Sequence, residues 1–252
     1  MLKILLSGCS GHMGRVVTAV AGGDADAAIV AGVDILTAQD LNYPVYASPA
    51  EFSGAADVVI DFSSPSALAA LLAFGVSTKT PLVLCATGYA PEQLAEIEKA
   101  SGQIPVFRSG NMSLGINLLA DLVRRACAVL GEAYDVEIIE RHHRRKVDAP
   151  SGTAIMLADA ASLSLPYSPE YTYERQGRTQ PRNAHEIGIS SVRGGTLVGE
   201  HEVIFAGLDE TIELRHSAAS RDIFAVGALK AAKFIAGVSK PGLYDMSDVL
   251  GN

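Results

Sequence analysis

Short apolar runs alternate with segments of helical character along the first 111 residues of the chain. The runs predicted as buried strands span residues 2–6, 28–33, 57–61, 81–86 and 104–107, and helices are predicted at 15–20, 65–74 and 91–100. Between residues 52 and 91 the only charged side chains are Asp57, Asp61 and Lys79. Strands this apolar are typical of a parallel sheet covered by helices on both faces. The pattern therefore predicts a doubly wound, Rossmann-type α/β domain.

The pattern changes after Asn111. A long helix is predicted at 113–130, with Leu114, Leu118, Leu122 and Val129 close to one face. Further helices are predicted at 153–165 and 222–236, and strands at 134–140, 187–193, 196–205 and 210–216. Gly194 and Gly195 indicate a two-residue hairpin turn between two of these strands, and residues 166–185 are predicted as a long polar loop. We therefore expect a second, α+β domain with a mainly antiparallel open sheet.

Composition narrows the classes of function. With 20 Lys and Arg against 28 Asp and Glu, the formal net charge of −8 argues against nucleic acid as a partner. No apolar run is long enough for a membrane span. The three cysteines, Cys9, Cys85 and Cys127, are an odd number without C-x-x-C spacing, which disfavours a disulfide framework and a zinc site. A reducing cytoplasm is the expected compartment.

A glycine-rich loop follows the first predicted strand. Gly8, Gly11 and Gly14 stand three residues apart, and Asp34 lies 20 residues after Gly14, at the end of the second strand. Small residues let a backbone approach a pyrophosphate at a helix N-terminus, and such a carboxylate accepts hydrogen bonds from ribose hydroxyls. Because a carboxylate repels a 2′-phosphate, we expect NADH to be preferred, while Arg15 leaves NADPH open.

The densest chemistry lies in residues 140–153. Four cations fall within six residues of an otherwise acidic chain, with two histidines between them: Arg141, His142, His143, Arg144, Arg145 and Lys146. The segment can be a solvated charged loop, and a metal site or a Ser151 nucleophile is disfavoured because ligand spacing and the G-x-S-x-G elbow are absent. The alternative is a catalytic site for a small anion, beside a helix whose N-terminus can bind a carboxylate.

One motif carries a specific match. Glu140-x-His142-His143-x-x-Lys146-x-Asp148-Ala-Pro-Ser-Gly-Thr153 resembles the signature of the 4-hydroxy-tetrahydrodipicolinate reductases, also called dihydrodipicolinate reductases. The resemblance spans nearly the whole chain, through residues 8–15, Asp61-Phe-Ser-x-Pro65, Asn111-x-Ser-x-Gly-x-Asn117, Ser191-Val-Arg-x-Gly and Val198-Gly-Glu-His201. It implies hydride transfer from a nicotinamide cofactor to a cyclic unsaturated dicarboxylate, giving tetrahydrodipicolinate and water in diaminopimelate and lysine biosynthesis.

The resemblance also implies residue roles. His142 would be the acid/base residue and Lys146 a second proton donor, while His143, Gly152 and Thr153 would bind substrate. Cofactor contacts would come from Gly8, Cys9, Ser10, Gly11, His12, Met13, Gly14, Asp34, Cys85, Ala86, Thr87, Ser109, Gly110, Asn111 and Met112. No metal is implied. A dinucleotide-binding domain of residues 1–112 and 222–252 would be interrupted by a substrate-binding and oligomerisation domain of residues 113–221, and the sheet of the second domain would build a homotetramer.

The chain departs from the family pattern at three positions. Ala86 stands where a threonine is common, which removes a hydroxyl near the nicotinamide. Ser64 replaces a basic residue of some members, which again favours NADH, and Met112 replaces a common phenylalanine. Two other classes stay open: a different Rossmann enzyme, such as an aspartate or semialdehyde dehydrogenase, and a non-enzymatic NAD(H) sensor. The semialdehyde type would need a catalytic cysteine such as Cys127, and the sensor would not need the histidines.

Overall fold

The computed structural model describes residues 1–36 and 40–251 of the chain. Internal contacts divide it into two units, one of Met1–Ser113 with Asp222–Asn252 and the other of Leu114–Arg221. Residues 37–39 and 252, which belong to the predicted first domain, lie outside the described residues.

The first unit is built on a seven-stranded parallel sheet. Its strands are β1 (Leu2–Ser7), β2 (Ala27–Val33), β3 (Val45–Tyr46), β4 (Val58–Asp61), β5 (Leu82–Leu84), β6 (Pro105–Arg108) and β12 (Gly242–Tyr244). Its helices are α1 (His12–Gly22), α2 (Leu68–Thr78), α3 (Pro91–Ser101), α6 (Asp222–Ala236) and α7 (Met246–Leu250). The strand order β12-β6-β5-β4-β1-β2-β3 confirms the predicted doubly wound class. Strands β3 and β12 and helix α7 were not predicted.

The strand order determines which edge of the sheet can bind a ligand. From β1 the chain moves outward through β2 and β3 on one side, and through β4, β5 and β6 on the other. Because all these pairs are parallel, the loops after β1, β2, β4, β5 and β6 leave the sheet at one edge. Ligands of open α/β sheets bind at such a reversal of strand order.

The second unit combines two main helices with a five-stranded sheet. The helices are α4 (Leu114–Leu130) and α5 (Gly152–Ser162), and the strands are β7 (Asp135–His142), β8 (Glu170–Thr172), β9 (Glu186–Arg193), β10 (Gly199–Ala206) and β11 (Thr211–Ala218). The order is β11-β10-β7-β9-β8, in which β10 pairs antiparallel with both neighbours while β9 pairs parallel with β7 and β8. The segment predicted as a loop at 166–185 therefore contains one strand, β8.

The predicted hairpin between β9 and β10 is wrong, because β7 lies between them. Two residues cannot cross an intervening strand, since neighbouring strands lie about 4.8 Å apart. The five residues 194–198 make the crossing instead. The Gly194 N–H donates to the carbonyl of His142 at 3.0 Å, and the Arg144 N–H donates to the carbonyl of Gly195 at 3.3 Å. The glycine pair thus closes the end of β7, beside the predicted catalytic residues.

The predicted apolar face of α4 is also not the buried one. Leu118, Leu122 and Val129 are 48%, 41% and 83% exposed. The buried residues are Ile116, Leu119, Ala120, Val123 and Cys127. Most of them share a core cluster with small residues of α5, Ala154, Ala158 and Ala161 among them. Both stripes satisfy helical spacing, and the stripe with small side chains packs because it lets two helices approach closely.

No helix in residues 1–36 or 40–251 combines the length and the apolar character needed to cross a membrane. Cys9, Cys85 and Cys127 are all unpaired thiols.

Candidate active site

The glycine loop of the first unit requires glycine at two positions. Gly8 has φ +76°, and a side chain there would meet the Phe62 carbonyl carbon at 2.7 Å. A Cβ on Gly14 would lie 2.2 Å from the Gly8 carbonyl oxygen. The loop is therefore folded onto the start of α1, which begins at His12. This close approach of backbone to a helix N-terminus is the cradle that a pyrophosphate needs.

Asp34 is held by that loop. One oxygen, Oδ2, accepts the Ser10 N–H at 2.9 Å, and Oδ1 accepts the Leu36 N–H at 3.0 Å. A cavity of about 400 Å³ lies beside it. Its lining includes Gly8, Gly11 and Asp34, residues of the loops after β3 and β4 such as Pro49, Ser63 and Ser64, and Leu71 of α2. An acidic group beside a partly apolar cavity fits the adenosine half of a dinucleotide.

Arg15 does not offer a free cation to this cavity. Its two terminal nitrogens bind the oxygens of Asp40 at 2.6 and 3.1 Å, and its Nε donates to the Ser10 carbonyl at 3.2 Å. The Arg15 guanidinium holds the pKa of the Asp40 carboxyl below its usual range. The charge of Arg15 is thus balanced by a carboxylate beyond the end of β2.

The remaining predicted cofactor residues follow β5 and β6. Residues 85–87 come directly after β5 and residues 109–112 directly after β6, so the parallel sheet brings both segments to the edge that carries the glycine loop. Cys9 and Met112 are buried. A Cβ on Gly32 would lie 2.4 Å from the sulfur of Cys9, and one on Gly227 would lie 1.7 Å from the carbonyl oxygen of Met112. The side chain of Cys9 and the backbone of Met112 are therefore packed against the protein, so any contact of these two residues with a cofactor would come from their backbone positions.

In the second unit, the alternation of β7 places Glu140 and His142 on the buried face of the sheet. Nδ1 of His142 lies 2.5 Å from Oε2 of Glu140, within hydrogen-bond distance. Arg193, on β9, binds both oxygens of the same carboxylate at 2.7 and 2.6 Å. Burial raises the pKa of Glu140, but the hydrogen bonds from Arg193, His142 and Ser191 outweigh it and hold the pKa at about 2. Glu140 is therefore ionised at neutral pH.

His201 supports the same cluster from β10. Its ring lies edge-on to that of His142, with centroids 5.2 Å apart, and its Nε2 is 2.9 Å from the hydroxyl of Ser151. Burial and the neighbouring His142 lower the pKa of His201 to about 3, so its ring is neutral. The Ser151 hydroxyl also accepts the Ala154 N–H at 3.1 Å. Ser151 is therefore the N-cap of α5, which accounts for a serine in the motif without nucleophilic chemistry.

The other predicted site residues follow β7 closely. Lys146 binds both oxygens of Asp148, at 2.9 and 2.7 Å, and this lowers the pKa of Asp148. Nδ1 of His143 is a buried ring nitrogen with no hydrogen-bond partner among the described residues. Gly152 is exposed at the first position of α5, and Thr153 follows it. Two basic side chains thus stand near a helix N-terminus, where anions bind favourably.

The arginines of this segment do not all serve one site. Arg141 lies on the opposite face of β7, where it pairs with Glu202 at 2.8 Å and Glu200 at 3.7 Å. Arg193 binds Glu140, the partner of His142, from a strand about 50 residues later in the chain. Alternation along β7 could have assigned Arg141 to the other face, whereas the role of Arg193 depends on the pairing of β7 with β9.

The alternative with a catalytic cysteine loses support from this geometry. Cys127 is buried in α4, and burial raises the pKa of its thiol to about 11, so it is a poor nucleophile at neutral pH. Within the part of the chain that the structure describes, no three His, Cys, Asp or Glu side chains form a group that could hold a metal ion.

Comparisons with known proteins agree along the whole chain. The family model for the N-terminus of dihydrodipicolinate reductase matches residues 2–112, and the model for its C-terminus matches residues 115–250. A 4-hydroxy-tetrahydrodipicolinate reductase of Clostridium botulinum is 49% identical over 251 residues, covering 100% of this chain and 99% of that protein. Another, of Caldanaerobacter subterraneus subsp. tengcongensis, is 51% identical over 250 residues, covering 99% of this chain and 98% of that protein.

The solved structures support the fold. Dihydrodipicolinate reductase from Paenisporosarcina sp. TG-14, with dipicolinate bound, superposes with a TM-score of 0.82 at 22% identity, covering 97% of each chain. A probable dehydrogenase from Thermotoga maritima superposes with a TM-score of 0.64 at 13% identity, covering 98% of this chain and 92% of that one. The two-unit architecture is therefore shared beyond the matched family.

Proposed function

The chain belongs to the dihydrodipicolinate reductase family, and from this membership we propose that it reduces 4-hydroxy-tetrahydrodipicolinate to tetrahydrodipicolinate with NAD(P)H, in diaminopimelate and lysine biosynthesis. One hydride and one proton enter the substrate, and one water leaves. The observation that carries the proposal is the buried Glu140–His142 pair beside Lys146 and the N-terminus of α5. A proton source next to an anion site is what reduction of an unsaturated dicarboxylate requires.

The first unit would hold the cofactor. Its glycine loop has the cradle that a pyrophosphate fills, and Asp34 stands where the ribose hydroxyls need an acceptor. When bound, the nicotinamide supplies a hydride. Cys9, Ser10, His12 and Met13 line the turn into α1, and the segments after β5 and β6 complete the set of proposed contacts.

The second unit would hold the substrate and supply protons. His142 gives a proton from Nε2 as hydride adds electron density to the unsaturated ring. Lys146 is a second donor, for the hydroxide that departs as water. The ring carbon next to that hydroxyl loses a proton in the same dehydration, so the whole reaction takes up one hydride and one proton. Protonated, His142 and Lys146 also stabilise the negative charge that develops. His143 and the start of α5, at Gly152 and Thr153, bind the substrate carboxylates, because helix N-termini favour anions. The bound dipicolinate of the Paenisporosarcina structure, a cyclic dicarboxylate, fits this assignment.

We propose that NADH is the preferred cofactor. The carboxylate of Asp34 repels a 2′-phosphate, Arg15 is already paired with Asp40, and Ser64 adds no cation to the cavity. The measurement is kcat/KM for NADH and NADPH under the same conditions. A higher kcat/KM for NADPH would contradict the assignment.

We also propose a cytoplasmic homotetramer. All three cysteines are unpaired thiols, as a reducing compartment requires. The face of the second sheet that carries Arg141, Glu200 and Arg215 is opposite the helices of its own unit, and three alternate residues of β11 on it, Glu213, Arg215 and Ser217, are exposed. An open sheet face of this kind can pair with other copies of the chain. Sedimentation at the mass of one 26.3 kDa chain would contradict the tetramer.

The proposal is tested with His142→Ala and Lys146→Ala. Each removes a proton donor worth about 10²–10⁴-fold in rate, so each should lower kcat by that factor while NADH affinity stays unchanged. The assay follows NADH oxidation with freshly generated 4-hydroxy-tetrahydrodipicolinate. His185→Ala is the matched control, since that histidine is half-exposed and stacks on Tyr167. Full activity in either test variant would overturn the role of that residue. A wild type that oxidised neither NADH nor NADPH with this substrate would overturn the function.

A further inference from the structure

We infer that Glu140 is the positioning residue of the reaction: it fixes the ring orientation and the tautomer of His142, so that Nε2 is the nitrogen that delivers the proton. The identity of the reaction rests on the proposed function, whereas the positioning role of Glu140 rests on the contacts that its carboxylate makes in this chain.

Glu140 lies in the interior beside His142, where its carboxylate contacts protein groups and no solvent. Its side chain is fully buried, and it stands two residues before His142, so the strand alternation directs both side chains to one face. One oxygen accepts the Nδ1–H of His142 at 2.5 Å, and the other accepts the Ser151 N–H at 3.1 Å. The two nitrogens of Arg193 hold both oxygens in place. The carboxylate is thus clamped from three sides and cannot turn away from the imidazole.

The contact decides which ring nitrogen can react. In the protonated ring both nitrogens carry hydrogen, and Nδ1–H is directed to Glu140. When Nε2 gives its proton to the substrate, the remaining proton stays on Nδ1, where the carboxylate accepts it. The other tautomer would present a lone pair to the Glu140 carboxylate and lose the hydrogen bond. Proton delivery from Nε2 therefore leaves the ring in the tautomer that Glu140 stabilises.

The surroundings of Nε2 agree with this assignment. A Cβ on Gly199 would lie 3.1 Å from Nε2 of His142, so glycine at this position of β10 leaves that nitrogen uncrowded. The neutral ring of His201 lies edge-on to that of His142, with the ring centroids 5.2 Å apart. With Gly199 beside it, Nε2 is open to substrate, whereas Nδ1 is occupied by the carboxylate of Glu140.

The pH response of the cluster involves every titratable group that faces it. Arg193 comes from β9, His201 from β10 and His216 from β11, while Lys146 and Asp148 belong to the loop after β7. The arginine stays charged, and burial lowers the pKa of both His201 and His216. The test below therefore reads the His142 ring directly and does not depend on a pH profile alone.

The variants are Glu140→Gln and, as a control, Glu186→Gln. Glu186 is 1% exposed and is held by Arg175 and Arg178, and its pKa is about 2 because these arginines outweigh burial. The hydrogen bonds of its carboxylate among the described residues come from Thr172, Arg175 and Arg178, not from a histidine. Both substitutions remove a buried charge from an arginine pair, so they share any general loss of stability, and only Glu140→Gln changes the partner of a catalytic ring.

Three readouts are taken on the full-length protein: kcat and KM for the substrate, NADH affinity, and the ¹⁵N NMR shifts of histidine-labelled protein at a pH where the imidazoles are neutral. The His142 signals are assigned by their loss in His142→Asn. In the wild type we expect the Nδ1–H tautomer at His142, and in Glu140→Gln a mixture of tautomers. We expect kcat to fall by about 10–10³-fold in Glu140→Gln, by analogy with the orienting carboxylate of other histidine sites, with NADH affinity retained.

Three results would overturn the inference: wild-type His142 in the Nε2–H tautomer, equal kcat losses in the two glutamine variants, or kcat within about twofold of wild type in a folded Glu140→Gln protein. If Glu140→Gln does not fold, the wild-type NMR measurement and Glu140→Asp, which keeps the charge but shortens the reach to His142, decide the question. If the wild type does not reduce 4-hydroxy-tetrahydrodipicolinate, the proposed function fails, while the tautomer measurement still tests the positioning role.

Discussion

Arg193→Met should destabilise the second unit, and more so at neutral than at acidic pH. Methionine keeps much of the length and volume of the arginine stem but removes both hydrogen bonds to Glu140, at 2.7 and 2.6 Å. The substitution leaves a fully buried carboxylate without its cation. Breaking such a pair by removing one partner typically costs about 3–5 kcal/mol, because the remaining charge is uncompensated.

The pKa of Glu140 gives a magnitude of the same size. A pKa of about 2 in the folded protein, against an ordinary 4.5, means that folding favours the ionised form. Since a tenfold change in acidity is worth about 1.4 kcal/mol, the cluster as a whole contributes about 3 kcal/mol at neutral pH. This contribution is present above the unfolded pKa and is lost as the pH falls through the folded one. The loss therefore occurs between about pH 4.5 and pH 2.

The assay is urea denaturation at pH 7, 6, 5 and 4, followed by far-ultraviolet circular dichroism because the chain has no tryptophan. All samples have one protein concentration, since self-association changes apparent stability. We expect the variant to be less stable by about 3 kcal/mol at pH 7. The difference in the free energy of unfolding between wild type and variant should narrow below about pH 5. In this range the unpaired Glu140 of the variant becomes protonated, whereas the wild-type residue stays ionised.

The matched control is Arg125→Met. Arg125 also binds a carboxylate of the second unit, Asp121, at 2.9 Å, but its side chain is 69% exposed, so we expect a loss of less than about 1 kcal/mol. The reasoning would be refuted if Arg193→Met lost as little unfolding free energy as the control. It would also be refuted if the loss stayed constant from pH 7 to pH 4.

Two further predictions concern the first unit. Gly14→Ala should weaken NADH binding by at least about tenfold in isothermal titration, because its Cβ would lie 2.2 Å from the Gly8 carbonyl oxygen and the loop would have to open. Gly22→Ala, whose Cβ would meet no atom within 4 Å, should bind NADH normally, and equal effects of the two variants would contradict the prediction. Asp40→Ala should raise kcat/KM for NADPH relative to NADH, since it releases the guanidinium of Arg15 toward a 2′-phosphate. An unchanged ratio would show that Arg15 takes no part in cofactor choice.

Local pattern was sufficient for most elements of this fold. The helix at 222–236 was predicted with the bounds that the structure has, because its apolar residues keep helical spacing over 15 residues. Strand β1 was found because a short apolar run ends at the serine and glycine that open a tight turn. The strands β3 and β12 have only two and three residues, and segments this short carry no period to detect.

Strand pairing and helix packing could not be predicted from the local sequence pattern. The double glycine after β9 has the local chemistry of a hairpin, yet the chain crosses β7 before β10 begins. In α4 two stripes have helical spacing, and the alanine-rich surface of α5 determines which of them is buried. Both errors have one cause: the sequence pattern describes a segment, whereas register and burial depend on the partner that it meets.

The catalytic region divides in the same way. The chemistry of residues 140–153 and of the glycine loop follows from residue types and spacing, because functional groups, a helix start and the absence of side chains are local properties. The roles of Glu140, Arg193 and His201 do not, because they come from three strands of one sheet and acquire their partners through strand pairing. Sequence is thus enough to propose the reacting groups of this protein. Their orientation depends on hydrogen bonds between residues up to 53 positions apart, which only the folded sheet brings together.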